Sequence, residues 1–392
     1  MLENLPEQAP DKIIELIGLF AADPRSDKID LGVGVYKNAE GKTPVMRSVK
    51  AAERRLVEAQ DSKSYVGLRG DADFVASIAD LVLGDAVAAD RITGAQTPGG
   101  TGAVRQLYHL VQLANPDATL WMSDPTWPNH PAIAKACGLD FRSYRYLQAD
   151  TPEVDFDAML ADLSAAKPGD AVLIHGCCHN PTGANLTRDD WQKLTDFVIA
   201  RGLLPFIDFA YQGFGDGLDE DAAGVRHMAR HVPEMVIAAS CSKNFGVYRD
   251  RVGAMFAISD AGAGGLVGGA MASLNRLAYS FPPDHGAKIV SMVMADPALL
   301  ADWKAELEEM RRGMLDLRER LAAALRQETN SDRFDFVARH RGMFSRLGLS
   351  PDQVLTLRED HGVYMVGDSR INVAGLRPDI IDRLARAIAA VL

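Results

Sequence analysis

Apolar and polar positions alternate along the middle of the chain in two rhythms. Short runs rich in branched residues stand at TLWMSDP (119–125), AVLIHGCC (171–178), LLPFIDFAY (203–211), EMVIAAS (234–240) and VGAMFAIS (252–259). Their near-continuous apolar character predicts strands covered on both faces. Between them, TRDDWQKLTDFVIARG (187–202) carries helical spacing. Buried strands alternating with helices predict an α/β domain with a mostly parallel sheet. Ligands of such sheets gather beyond the carboxyl ends of the strands, so the residues just after each run are the ones to inspect.

Toward the C-terminus the rhythm changes. Trp303, Leu307, Met310, Met314, Leu317, Leu321 and Leu325 recur at helical steps and form one apolar stripe. This predicts a single long helix with Glu308, Glu309, Arg311 and Arg312 on its solvated face. That helix opens a smaller α+β unit, which ends in a helix near 378–392.

Composition narrows the function. A chain of 392 residues buries a large core and accommodates two or three structural units. A formal net charge of −11 argues against nucleic acid or an anionic membrane as the main partner. The opening residues MLENLPEQAPDK lack the basic and apolar regions of a secretory signal, and no apolar run is long enough to span a bilayer. Cys137, Cys177, Cys178 and Cys241 show no scaffold spacing, so a reducing cytoplasm is the expected location.

Four stretches at the predicted strand ends carry candidate chemistry. QTPGGTGAVRQLYHL (96–110) runs two glycines and a threonine into a helix, which offers either an anion cradle of free N–H groups or a capped turn. HGCCHNPTG (175–183) invites a metal reading, because an extended strand would put His175, Cys177 and His179 on one face. Metal ligands are more often separated by turns or helical steps, so no metal is expected. Its NPTG turn places Asn180 at the strand's end. FIDFAYQGFGDG (206–217) sets Asp208 at the end of an apolar strand, costly to bury without a partner, with Tyr211 close behind. The acidic residues from Asp216 to Asp221 lack calcium-loop spacing and read as solvated surface.

The fourth stretch, AASCSKNFGVYRDRVG (238–253), puts Ser240, Ser242 and Lys243 just beyond a strand. A lysine becomes a nucleophile when burial or a neighbouring cation lowers its pKa, and Arg251 is such a cation. Together these stretches offer an anion cradle, a carboxylate, a phenol, an amide and an amine. Pyridoxal 5'-phosphate requires that set.

These motifs, with LGVGVYKNAEGKTPVM, SDPTWPNH and GDSRINVAG in the same order, make the chain resemble the aspartate and aromatic-amino-acid aminotransferases of fold type I. The likeness runs over essentially the whole chain. It implies a large domain (41–300) with a mostly parallel seven-stranded sheet flanked by helices. A small α+β domain (301–392) would be entered by a long linking helix, and 1–40 would supply an N-terminal arm and part of the small domain. The resemblance makes Lys243 the residue that bonds the cofactor and moves the substrate's Cα proton. Asp208 would pair with the ring nitrogen, and Asn180 and Tyr211 with the ring oxygen. Gly100, Thr101, Ser240, Ser242 and Arg251 would hold the phosphate, joined by Tyr65 from the other subunit of a homodimer. Trp127 would stack on the ring, with His175 behind it. Arg370 would grip the substrate's α-carboxylate, helped by Asn180 and the Gly34 backbone, and Asn129 would also face substrate.

The same resemblance bears on the substrate. Arg276, in LNRLAYSFPPDHG (274–286), matches the arginine that reaches across the dimer to a distal carboxylate. Phe281 stands where aspartate enzymes typically carry asparagine, as in bacterial aromatic-amino-acid enzymes. The expectation is therefore transamination of aromatic amino acids, aspartate, or both with 2-oxoglutarate, with strict aspartate activity as the alternative. The glycine-rich GAGGLVGGAM (262–271) is expected to be a mobile segment that lets Arg276 swing.

Overall fold

A computed structural model describes residues 1–7, 12–148 and 151–392, so residues 8–11 of the expected N-terminal arm lie outside the described part. The chain divides into two units, Pro44–Gly313 and a second formed by Met1–Thr43 with Met314–Leu392.

In the first unit all five apolar runs become strands of one seven-stranded sheet. In chain order these are β1 (Ile92–Pro98), β2 (Leu120–Asp124), β3 (Phe141–Arg145), β4 (Ala171–His175), β5 (Leu204–Phe209), β6 (Met235–Ser240) and β7 (Val252–Ile258). Their order across the sheet is β1-β7-β6-β5-β4-β2-β3. Only β7 runs against its neighbours, and the other pairings are parallel. Strands β4, β6 and β7 are buried at every position, as their unbroken apolar sequences require. Helix Gly99–Ala114 buries Ala103, Val104, Leu107 and Val111 in the same core as Leu173, Phe206 and Ala238.

Several expectations needed correction. AVLIHGCC does not stay extended, because its strand ends at His175 and Cys178 turns to φ +50°. A Cβ on Gly176 would stand 2.4 Å from the Phe209 ring. His175, Cys177 and His179 therefore do not line one face of a strand. The glycine-rich 262–271 is no loop but enters the helix Gly264–Ala278. Nor is the acidic run wholly solvated. Asp221 is buried and accepts backbone N–H bonds from Gly213, Gly215 and Asp216 at 2.8–2.9 Å. Burial nevertheless pushes its pKa up to about 6, against the pull of those three bonds.

The apolar stripe forms one helix, Pro297–Thr329, with six of its seven named residues buried and Leu317 partly so. In the second unit, Ile29–Asp30 pairs in parallel with Val363–Tyr364, and Phe344–Arg346 pairs antiparallel with Arg370–Asn372. Leu321, Leu325, Leu357 and Leu384 pack together in its core, and the last helix is Ile381–Ala390. Among the described residues no helix is long and apolar enough to cross a membrane.

Candidate active site

The carboxyl ends of β4, β5 and β6 bring the candidate groups of the first unit together. Register places His175 opposite Asp208, and Asp208 opposite Ala238 on β6. Lys243 follows β6 in a tight turn, closed by a bond from the Gly246 N–H to the Lys243 carbonyl at 2.9 Å. Beneath this turn, the Trp303 indole donates to the Asn244 carbonyl at 2.7 Å and stacks on Phe245 at 4.4 Å between centroids. Two fully buried rings thus fix the base of the turn, while the lysine itself is only half-buried.

The Lys243 amine lies 4.9 Å from the centre of the Tyr211 ring. Its pKa is lowered to about 8, chiefly by burial, with the Arg251 cation adding to the effect and Asp208 opposing it. At pH 7 about a tenth of this amine is therefore unprotonated and nucleophilic, far more than for an ordinary lysine. The Asn180 side-chain N–H2 reaches the Tyr211 hydroxyl at 3.5 Å, so the expected amide–phenol pair is assembled.

Asp208 has a partner that the sequence did not reveal. His130, fully buried, places Nε2 3.0 Å from an Asp208 oxygen and Nδ1 2.7 Å from the Thr126 hydroxyl. An ionised carboxylate only accepts, so the His130 Nε2–H donates to Asp208. Burial alone would raise the Asp208 pKa, but the hydrogen bond from His130, aided by the nearby Lys243 cation, brings it below the ordinary value. Asp208 is thus an anion held in the protein interior. His175 stands near this pair, 5.2 Å from His130 between ring centroids, and both its ring nitrogens lack a partner among the described residues. Burial, and then His130, pull its pKa down to about 3, so it is neutral. Trp127 meets His130 edge-on at 5.2 Å and is partly exposed, while Asn129 is exposed at the first position of its helix.

The anion cradle is built from close approaches. A Cβ on Gly99 would stand 2.5 Å from the Arg251 guanidinium, and one on Gly100 would stand 2.9 Å from the Ser240 Cβ. One on Gly253 would meet the Gly99 backbone at 2.5 Å. Arg251 adopts φ +55° and directs its guanidinium to the Ser242 hydroxyl at 3.5 Å and the Tyr248 carbonyl at 2.9 Å. Helix Gly99–Ala114 starts with no side-chain cap, so Thr101 is not a capping residue. Its first N–H groups remain available to an anion beside Ser240, Ser242 and Arg251.

Two further groups of residues are assembled separately. In the second unit the Arg370 guanidinium donates to the Gly32 carbonyl at 3.2 Å and lies 4.6 Å over the Phe344 ring. The same ring leaves no room for a Cβ on Gly34, which would approach it to 2.8 Å. In the first unit, exposed Tyr65 stacks on Phe281 at 4.6 Å, and the Arg276 guanidinium lies 5.8 Å from the Phe281 centroid. Arg276 also donates to the Ser280 hydroxyl at 2.6 Å.

Metal-type clusters occur at His130–His175–Asp208 and at Cys177–Cys178–Asp221. In the first, two members hydrogen-bond one another, and in the second Asp221 is already engaged by three N–H groups. Neither arrangement calls for an ion.

Comparison with known proteins agrees with this geometry. Residues 26–388 match the family described as aminotransferase class I and II. The chain is 58% identical over 392 residues to the aromatic-amino-acid aminotransferase of Paracoccus denitrificans, covering 100% of both. It is 44% identical over 396 residues to the aspartate aminotransferase of Salmonella typhi, again covering 100% of both. A solved aromatic-amino-acid aminotransferase from Burkholderia pseudomallei, covalently bound to pyridoxal phosphate, is 42% identical, with a TM-score of 0.97 over 100% of both chains.

Proposed function

Because this chain belongs to the class I and II aminotransferases, we propose that it transfers amino groups from aromatic amino acids and aspartate to 2-oxoglutarate, using pyridoxal 5'-phosphate bound at Lys243. The observation that carries the reading is the Lys243 amine, with a pKa near 8, set beside Tyr211 and the buried His130–Asp208 pair. Pyridoxal phosphate, when bound, supplies a carbonyl for the amino group and a ring that takes up electrons from Cα.

The chain's own residues fit that group. In the cradle of Gly100, Thr101, Ser240, Ser242 and Arg251, the missing Cβ of Gly100 lets the helix start approach Ser240 closely, so free N–H groups and these side chains would face one phosphate. Asp208, kept anionic by His130, would hold a proton on the ring nitrogen. Asn180 and Tyr211 would bond the ring oxygen, and Trp127 would stack on the ring. Lys243 would take the Cα proton of the donor and deliver a proton on the far side of the amino nitrogen. In the second half-reaction it acts in reverse on the oxo acid, which makes the cycle ping-pong.

Arg370, beside the Gly34 backbone in the second unit, would bind the α-carboxylate of the substrate by the paired N–H geometry of guanidinium. Tyr65 and Arg276 serve the site of the partner in a homodimer, Tyr65 at the phosphate and Arg276 at the substrate side chain. The aromatic ring of Phe281 beside Arg276 favours a pocket that accepts both an aromatic ring and a carboxylate. Steady-state rates with phenylalanine, tyrosine and aspartate against 2-oxoglutarate test this. Useful turnover with all three supports it, and turnover with aspartate alone identifies a strict aspartate aminotransferase.

A further inference from the structure

We infer that Asn275, which touches neither substrate nor cofactor, is a positioning residue that locks the Tyr65 loop and the Arg276–Phe281 turn into one block. The inference rests on the reading above, in which Tyr65 and Arg276 act at the partner's site.

Asn275 is fully buried in the helix Gly264–Ala278, and all of its hydrogen-bonding capacity is used. Its amide nitrogen donates to the Leu68 carbonyl at 3.0 Å and to the Gln96 carbonyl at 3.1 Å. Its oxygen accepts from the Gln106 amide at 3.1 Å and from the Tyr279 hydroxyl. Two backbone carbonyls can only accept, which fixes the orientation of the amide. One side chain thereby ties four segments together: the loop carrying Tyr65, the edge strand β1, the helix Gly99–Ala114, and the turn after Arg276.

Gln96 reinforces the same tie from β1. Its backbone N–H bonds the Arg69 carbonyl at 2.8 Å, and its side chain accepts from the Asp71 N–H at 3.0 Å. It also donates to the Pro283 carbonyl at 2.6 Å, two residues past Phe281. Gly70, at φ +85°, permits the approach, since a Cβ there would lie 2.3 Å from that of Gln96. Neither loop has a regular strand or helix of its own to hold it between Tyr65 and Asp71, or between Tyr279 and Pro283. The amide of Asn275 substitutes for one. A buried amide in this position does more than add stability, because it forces the phosphate-side residue Tyr65 and the substrate-side residue Arg276 to keep one spacing.

The test compares Asn275→Ala and the milder Tyr279→Phe with wild-type holoenzyme. Cofactor dissociation is read by absorbance and KM is read for aspartate and phenylalanine. Asn275→Ala is expected to raise both cofactor dissociation and aspartate KM about tenfold in the folded dimer, on the scale of a lost buried hydrogen bond, with kcat changed less. Tyr279→Phe should move both in the same direction by a smaller factor, and it keeps the test decisive if Asn275→Ala does not fold. A variant with lowered thermal stability but wild-type KM and cofactor affinity overturns the inference. Tyr65→Phe and Arg276→Leu run alongside. If they alter cofactor binding and aspartate KM while the Asn275 and Tyr279 variants do not, the positioning role is wrong and the site reading stands. If they alter nothing, the site reading itself fails.

Discussion

The surroundings of Lys243 and the Tyr65–Arg276–Phe281 patch belong to the same unit but are built in opposite ways. Around Lys243, Asp208 is 8% exposed and Tyr211 and Ser242 are 5% exposed, and each stands on or next to a strand end. In the patch, Tyr65 is 85% exposed, and its side chain rests on Phe281, which also faces Arg276. The first region fixes atoms, as proton transfer demands. The second anchors its backbone through the Asn275 and Gln96 amides and turns the Tyr65 side chain outward. Chemistry and selectivity are thus separable in this protein, and substitutions should separate them.

The largest effect is expected at the rigid region. Lys243→Ala removes both the bonding amine and the proton carrier, so kcat with every donor should fall by several orders of magnitude. Phenylalanine and aspartate must lose equally. Any donor that keeps its rate would show that the chemistry does not pass through this amine.

Arg276→Leu comes next and should split the donors. Aspartate should lose kcat/KM by roughly 3–5 kcal/mol, the scale of a broken buried ion pair, while phenylalanine tested with an aromatic oxo acid should change little. Since 262–271 enters a helix, any movement of Arg276 must come from its own side-chain torsions rather than from a flexible backbone segment. Equal losses for both donors would merge the two regions that the comparison keeps apart.

His130→Phe sharpens the comparison from the other side. It removes the bond that holds Asp208 anionic, so both donors should slow by about ten- to a hundredfold, within the range for one buried charge-assisted bond. Their ratio should stay the same.

The smallest effect concerns pH. In the cofactor-free chain, the reaction of Lys243 with an added aldehyde should rise with pH to a midpoint near 8, because the folded protein disfavours the charged amine. Arg251→Gln should move that midpoint upward, since a neighbouring cation is gone. The move should be small, because burial is the larger cause of the shift.

The difference between the two regions also explains what the sequence could reveal. Strands β4 to β6 announce themselves as near-continuous apolar runs, and residues at or just after their ends form the candidate site. Strand β3, FRSYR, is an edge exposed at four of its five positions, so no apolar pattern marks it. Strand β1 is obscured by Gly94 and Pro98. His130 was missed because it reaches Asp208 across 78 residues from the first turn of a helix, and no local spacing encodes that encounter. The burial of Asp221 was missed for a related reason, since its partners are backbone N–H groups of a loop that composition describes only as polar. Asn275 lies beside the noticed Arg276, yet only the fold shows that its amide is consumed by four partners, Leu68, Gln96, Gln106 and Tyr279.

The central claim is that Lys243 is the amine that bonds the cofactor. Borohydride reduction of the holoenzyme, followed by peptide mapping, tests it most directly. The account predicts a single reduced pyridoxyl adduct on Lys243, lost when excess phenylalanine or aspartate is added before the reductant. An adduct on any other lysine, or none on a protein that turns over normally, would contradict it.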